Sequence, residues 1–159
     1  MLNLLVLVGF LALPVLVGAI SGIATASGVG GWYAGIAKPP FNPPGWVFGP
    51  VWTLLYLLMG VSSWRVFGTF DGFRAFLLSA PGGIYLAQLA LNFAWSFLFF
   101  GFRRPGLAFI EILVLWVVIL AMIRVFWLRD PLSGWLQVPY VLWVSFASVL
   151  NGSIWWLNR

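Results

Sequence analysis

The sequence contains no cysteine and no histidine. It can therefore form no disulfide and no thiolate, and it lacks the most common metal ligand and general base in proteins. Carboxylates are almost as scarce, because Asp71, Glu111 and Asp130 are the only acids in 159 residues. These absences argue against a metal site and against a hydrolase built on paired carboxylates. We expect neither a bound metal nor a resident cofactor.

Charge is also scarce: 7% of the residues are charged and 63% are hydrophobic. A soluble domain carries about a quarter charged residues, so this chain cannot cover its surface with polar groups. A membrane-spanning helix needs roughly 20 apolar residues. We predict an all-α integral membrane protein, a single domain over residues 1–159 with five spanning helices. Their expected ranges are 2–24, 46–67, 82–102, 106–128 and 134–157.

Basic residues outnumber acidic ones by eight to three, which gives a net charge of +5. Such a balance can indicate a nucleic-acid partner. Here the basic residues are scattered, apart from the pair Arg103 and Arg104, and arginine at the ends of apolar segments is an ordinary membrane anchor. We expect a lipid bilayer as the partner and no nucleic acid. Four basic residues would lie on each side, so the positive-inside rule assigns no orientation.

The first apolar stretch could be a cleaved signal peptide, because Ala24-Thr25-Ala26 resembles a cleavage site. However, no Lys or Arg precedes it, and it exceeds the usual length of about 7–15 residues. We expect it to remain as a helix. Its Gly18 and Gly22 are spaced so that a second helix can approach closely, although glycine is common in membrane helices generally. Together with Ala87, Ala90 and Ala94 in the third stretch, they predict a homodimer.

The segment Ser27–Gly45 is the one long connection between the predicted spans. It contains four prolines within six residues, at positions 39, 40, 43 and 44. Proline lacks an N–H and restricts the residue before it, so this part cannot be helical. Such a loop could simply end a helix. Its interleaved aromatic residues and Lys38 favour a stiff lid over the bundle.

Three sets of residues repeat every four positions and so share a helix face. In the second span the set is aromatic: Phe48, Trp52 and Tyr56. In the third span it is polar: Gln88, Asn92 and Ser96. In the fifth span it is mixed: Trp143, Ala147 and Asn151. Amides are costly in hydrocarbon, so the polar set must face the bundle interior. It could either bind a ligand or form hydrogen bonds between helices.

Glu111 is the one acid inside a predicted span. Acids at such depth are rare and usually face the interior of the bundle. Glu111 lies about two turns after the arginine pair, so it could form a structural pair near the interface. It could also bind a ligand or carry a proton.

These blocks of residues resemble the translocator protein and tryptophan-rich sensory protein family, formerly called peripheral-type benzodiazepine receptors. The resemblance covers most of the chain, and it rests on the order and spacing of several motifs rather than on any one. The matching motifs are Trp32-Tyr33, Lys38-Pro39, Pro43-Pro44-Gly45-Trp46-Val47-Phe48, Val51-Trp52-Thr53-Leu54-Leu55-Tyr56, Gln88-Leu89-Ala90-Leu91-Asn92-Phe93-Ala94-Trp95, Phe99-Phe100-Gly101, Val138-Pro139-Tyr140 with Trp143, and Leu150-Asn151.

The resemblance implies a five-helix bundle with a pocket under the first loop that binds porphyrins and synthetic planar ligands. The family's pocket positions match Trp52, Asn92, Trp95, Trp143, Ala147 and Leu150. We add residues of the loop and the polar stripe as candidate ligand contacts: Tyr33, Lys38, Pro44, Trp46 and Gln88. Eukaryotic members carry a tyrosine in a cholesterol motif where this chain has Gly152, so sterol handling is not expected. The membrane implied is a bacterial cell membrane.

The expected function is that of a receptor or regulator that binds a tetrapyrrole, with transport as a further option. Aromatic rings can stack on a planar macrocycle, Gln88 and Asn92 can bond its polar atoms, and Lys38 can meet a propionate at the rim. The alternative is light- and oxygen-dependent breakdown of the porphyrin, for which the resemblance implies Trp52 and Trp143 as the reactive residues. No inverted repeat is visible, and five spans do not divide into two equal halves, which weighs against an alternating-access transporter.

Overall fold

The computed structural model describes residues 4–159, apart from the side chains of residues 24, 27 and 29, and this range contains helices and no strand. A 3-10 turn, Gly45–Val47, precedes the third helix, and a π-helical segment, Phe97–Gly101, extends the fifth. The α-helices are α1 (Leu4–Val29), α2 (Trp32–Gly35), α3 (Phe48–Phe67), α4 (Phe73–Leu77), α5 (Ala80–Ser96), α6 (Pro105–Trp127), α7 (Pro131–Leu136) and α8 (Val138–Leu157).

Five helical stretches are long and apolar enough to cross a membrane, which confirms the predicted five-span, all-helical architecture. The spans are Leu4–Ile23, Gly45–Phe67, Ala80–Gly101, Pro105–Trp127 and Pro131–Leu157. The first helix continues past its predicted end at residue 24 and stops at Val29. The loop that follows is therefore shorter than the sequence indicates, and its extended part begins at Ile36.

The helices α1 and α3 pack closely at the end of the bundle where α1 begins. A Cβ atom at Gly60 would lie 2.7 Å from the carbonyl oxygen of Phe10 and 2.9 Å from the Cα of Leu11. Only a glycine allows the two backbones to come this near, because any side chain would push them apart. This contact fixes α1 against α3 below the candidate site.

An ion pair joins α3 to the start of α7 at the same end of the bundle. The Nε and Nη2 atoms of Arg65 donate to the two carboxylate oxygens of Asp130, at 2.7 and 3.0 Å. The hydrogen bonds from Arg65 hold the pKa of the Asp130 carboxyl below its ordinary value. Ser62 adds a hydrogen bond from α3 to the carbonyl oxygen of Ser133, at 2.8 Å. Together these contacts close the bundle on the side opposite to the first loop.

Candidate functional site

A cavity of about 370 Å³ lies between α1, α3, α5 and α8, under the first loop. This volume falls in the range of about 300–1,000 Å³ that is usual for small-molecule sites. Its aromatic lining consists of Tyr33, Phe48, Trp52, Tyr56, Trp95, Phe99 and Phe100. A few polar side chains, among them Thr25, Ser96 and Asn151, complete the wall. The cavity suits a flat apolar ligand with a few polar atoms.

The wall formed by α3 presents Phe48, Trp52 and Tyr56 to the cavity, on the face that their spacing predicts. The Trp52 and Tyr56 rings stack with centroids 5.4 Å apart and planes 28° apart. Tyr140 of α8 meets Trp52 edge-on at 6.2 Å. The Trp52 indole is therefore held in one orientation by rings from two helices.

The wall formed by α5 is shaped by its π-helical extension. A π segment inserts an extra residue into the turn, and such segments often occur at functional sites. Here the two consecutive rings of Phe99 and Phe100 both line the cavity. Trp95 stacks on Phe99 at 5.3 Å, and its Nε1 donates to the Oδ1 of Asn151 at 3.0 Å. The amide of Asn151 also donates to the carbonyl oxygen of Pro105, at 2.8 Å. Asn151 therefore ties together α5, α6 and α8.

Two residues of the polar stripe of α5, Gln88 and Asn92, lie beneath the cavity floor, whereas the third, Ser96, lines the cavity. The Tyr56 hydroxyl donates to Asn92 at 2.8 Å, and the Asn92 amide donates to the Tyr140 hydroxyl at 3.0 Å. The Tyr140 hydroxyl donates in turn to Gln88 at 3.1 Å, and the Gln88 amide donates to the Met59 sulfur at 3.0 Å. Gln88 and Asn92 are 0% and 3% exposed and do not line the cavity. Both amides are thus engaged in bonds between helices, and their contact with a ligand stays a prediction.

The lid is held by its own polar contacts at the mouth of the site. The Tyr33 hydroxyl donates to the Oδ1 of Asn42 at 2.7 Å, while the Tyr33 ring lines the cavity. Burial raises the pKa of the Tyr33 hydroxyl, and the bond to Asn42 offsets part of this rise. The Lys38 ammonium lies 4.9 Å over the Tyr33 ring and donates to the carbonyl oxygens of Ala34 and Ile36. Lys38 is therefore placed at the rim of the cavity.

The other predicted ligand residues divide into two groups. Ala147 and Leu150 line the cavity and are 9% and 5% exposed. Trp143, Pro44 and Trp46 do not line it, and Trp46 is 75% exposed. A role for this second group would require the loop or neighbouring rings to move.

Glu111 neither pairs nor lines the cavity. Both of its carboxyl oxygens are buried without a hydrogen-bond partner among the described residues. Within that range the ion pair found joins Arg65 to Asp130, and Glu111 takes no part in it. No group of three or more potential metal-ligating acids, histidines or cysteines occurs within residues 4–159.

The sequence missed the wall that α1 contributes. Val15, Gly18, Ala19 and Gly22 line the cavity. The spacing of the two glycines predicts a close helix contact, but nothing in this stretch of sequence indicates a cavity wall. Gly18 lies against Tyr56 of the same chain, where an added Cβ would be 2.1 Å from the ring. The close approach that its spacing predicts is therefore made within the chain.

Comparison with known proteins agrees with this architecture over nearly the whole chain. The model of the TspO/MBR family matches residues 10–157. The chain is 38% identical over 158 residues to the tryptophan-rich protein TspO of Archaeoglobus fulgidus, which covers 99% of both chains. It is 37% identical over 152 residues to the translocator protein of Bos taurus, or 96% of this chain and 89% of that one. It is 38% identical over 127 residues to the tryptophan-rich sensory protein of Cereibacter sphaeroides, or 80% and 77%.

Proposed function

Because this chain belongs to the TspO/MBR family of multi-pass membrane proteins, we propose that it is a receptor or regulator that binds a planar tetrapyrrole in the cavity under its first loop. The observation that carries this proposal is the cavity wall itself. Seven aromatic side chains, from Tyr33 to Phe100, surround a space of about 370 Å³. Aromatic faces stack well on a planar macrocycle, and each ring contact adds about 0.5–1.5 kcal/mol beyond its buried area.

Residues of the walls and residues of the rim would make different contacts with the ligand. Trp52 of α3 and Trp95 of α5 lie on two different walls of the cavity and would stack on the macrocycle or its edge. Lys38 would exchange its two backbone carbonyl partners for a ligand carboxylate, which is a stronger acceptor because it is charged. The polar atoms of Ser96 and Thr25 would meet the ligand inside the cavity.

Titration of the purified protein with protoporphyrin in the dark tests this proposal. We expect saturable quenching of tryptophan fluorescence at roughly micromolar affinity, beyond that of free tryptophan at the same porphyrin concentration. Ala147→Leu should weaken binding by about tenfold or more, because the added methyl groups enter the cavity. Ala121→Leu, on the exposed side of α6, is the matched control and should leave the affinity unchanged. Quenching that never exceeds the free-tryptophan control would refute the proposal.

A second candidate function is light-driven oxidation of the bound porphyrin by dioxygen. It is favoured by the position of Trp52, which lines the cavity and stacks on Tyr56 at the start of the hydrogen-bonded chain to Asn92 and Tyr140. Illumination of the saturated complex in air distinguishes the two functions. Products that require both light and oxygen, and that exceed those of free porphyrin in detergent, would support the chemical function.

Transport would be a further use of the same site. Uphill or saturable flux of porphyrin into liposomes would support it. Binding without flux and without light-dependent products would leave a receptor or regulator.

A further inference from the structure

Several residues line the cavity and are also exposed on the outside of the bundle. They are Val15, Ala19 and Gly22 of α1, Gly49 and Thr53 on the facing side of α3, and Gly45 just before α3. A residue that is exposed and also lines a cavity marks the place where the cavity opens. The cavity therefore has a side opening between α1 and α3, which we call the lateral opening.

The glycines of the two helices show how the lateral opening forms. At Gly60 the backbones of α1 and α3 touch, and at Gly18 the Tyr56 ring fills the gap between them. A Cβ atom added at Gly22 or Gly49 would meet nothing within 4 Å. Beside these two glycines, which are exposed and line the cavity, the side chains that the structure describes therefore leave open space.

The rim of the lateral opening is apolar and lies within the membrane-spanning range. Gly22 belongs to the span Leu4–Ile23, and Gly49 and Thr53 belong to the span Gly45–Phe67. The Thr53 hydroxyl is already bonded to the carbonyl oxygen of Gly49, at 2.9 Å. Among the side chains that the structure describes, the rim carries no charge and no free hydroxyl donor, which suits contact with hydrocarbon rather than with water.

The lid, by contrast, is fastened over the cavity. The Asn158 side chain accepts a hydrogen bond from the backbone N–H of Ala37 at 3.0 Å and donates one to the Ala37 carbonyl oxygen at 2.9 Å. The same amide donates to the carbonyl oxygen of Ile154, at 2.7 Å. These bonds join the loop to the end of α8, and the Tyr33–Asn42 bond adds a further tie. Entry from water would require this set of bonds to open.

We infer that the ligand enters and leaves the cavity from the bilayer, through the lateral opening between α1 and α3, while the lid stays closed. This inference rests on the proposed function for the chemical class of the ligand, a planar apolar molecule that dissolves in lipid. What the inference adds to the proposed function is the route by which the ligand reaches the cavity. It also allows an edge of a large macrocycle to project between the helices, so that the ligand need not fit entirely inside the cavity.

The absence of native cysteine makes this route testable with single engineered thiols. Gly49→Cys, labelled with a bulky uncharged maleimide, places an obstruction in the lateral opening. Val117→Cys, which is 58% exposed on α6, is the matched control with the same label. In nanodiscs, the label at position 49 should slow both porphyrin association and porphyrin dissociation by about tenfold or more, because an obstructed route hinders entry and exit alike. A label that only weakened the site would instead speed dissociation, and that result would count against the inference. The label at position 117 should change neither rate.

Crosslinking the lid tests the alternative route. In the double variant Ala37→Cys/Asn158→Cys, a short bifunctional thiol crosslinker would lock the loop to α8. The association rate should be the same before and after crosslinking. A rate that falls after crosslinking, or a label at position 49 that changes no rate, would overturn the inference in favour of entry through the lid.

A measurement without porphyrin separates failure of the route from failure of the proposed function. Phospholipids with brominated acyl chains quench tryptophans that they can contact. Trp52→Phe should lose the part of this quenching that comes from contact between lipid and Trp52. A label at position 49 should remove the same part, and a label at position 117 should leave it unchanged. If no Trp52-dependent quenching occurs, the lateral opening is closed to lipid and the inference fails, whether or not porphyrin binds.

Discussion

The ring of Phe48 lies edge-on against the indole of Trp143, with centroids 5.9 Å apart and planes at 75°. Phe48 lines the cavity, whereas Trp143 does not. Trp143 also packs against Phe146 at 5.5 Å, and Phe146 meets Phe41 of the first loop at 6.4 Å. Phe48 thus begins a row of rings that leads from the cavity to the lid, with Trp143 in the second position.

Removal of the Phe48 ring should therefore add Trp143 to the cavity wall. In Phe48→Ala we expect porphyrin to quench an additional fraction of the tryptophan fluorescence. That fraction should disappear in the double variant Phe48→Ala/Trp143→Phe. The cost in stability should stay below the roughly 3–5 kcal/mol of a fully buried Phe→Ala change, because Phe48 is only partly buried. Phe146→Ala, on the far side of Trp143, is the control and should add no such fraction.

Replacing Trp52 or Trp143 with phenylalanine should affect light-driven chemistry more than porphyrin binding. Trp52→Phe and Trp143→Phe should each bind porphyrin within about tenfold of the wild type, because phenylalanine keeps most of the apolar area. Trp52→Phe should remove more of the quenching, since Trp52 lines the cavity. If light-driven oxidation occurs, the saturated variants should yield no more product than free porphyrin. Unchanged product in the double Phe variant would assign both tryptophans to packing.

The Asn92 amide should matter for stability more than its size suggests. Asn92→Leu would leave the hydroxyl of Tyr56 without its acceptor and that of Tyr140 without a donor. A buried polar group without a partner costs about 1–3 kcal/mol, although hydrogen bonds between membrane helices average about 0.6 kcal/mol. We expect a loss of about 1–2 kcal/mol in the free energy of unfolding, measured by reversible unfolding in mixed micelles. Ser153→Ala, which loses one bond to its own helix, should cost less. Equal losses of stability in Asn92→Leu and Ser153→Ala would contradict the role of Asn92 as a hydrogen-bond partner of both α3 and α8.

The Arg65–Asp130 pair should make stability depend on pH at the acidic end. The pKa of Asp130 is lowered in the folded protein, so the folded state favours the carboxylate. This stabilisation is fully present above the ordinary aspartate pKa of about 3.9 and is lost as pH falls through the lower folded value. Asp130→Asn should be less stable than the wild type at pH 6, and the difference should shrink as pH falls below about 4. Asp71→Asn, which also removes one negative charge but at an exposed position, is the matched control.

The homodimer stays a prediction, and the structure indicates which substitutions test it. Ala87 and Ala90 are exposed on α5, where small residues would let a second copy approach closely. Ala87→Leu with Ala90→Leu should shift the protein to monomers in mild detergent, as measured by light scattering. Gly18→Leu is a poor test because it would collide with Tyr56 of the same chain. A wild-type protein that is monomeric in bilayers would rule out the dimer.

Composition and periodicity predicted the parts of this protein that depend on single helices. Scarce charge and five apolar stretches required a membrane and a helical bundle, since lipid leaves a backbone few other ways to satisfy its hydrogen bonds. Spacing placed Phe48, Trp52 and Tyr56 on one face, and all three line the cavity. Trp95, Ala147 and Leu150, expected from the resemblance, line it as well. These features could be read from the sequence because a face of a helix follows from its own period.

Contacts between helices were decided by the tertiary structure alone. The sequence placed Gln88 and Asn92 in the interior, but their distance from Tyr140 determined that they bond to other helices beneath the cavity. Likewise, nothing in the period of α1 showed that Gly18 would meet Tyr56 while Gly22 would face an open gap. A helix's period specifies which residues share a direction. How far away the next helix lies in that direction depends on packing between segments distant in the sequence, and that distance makes one glycine a contact and the next one part of an opening.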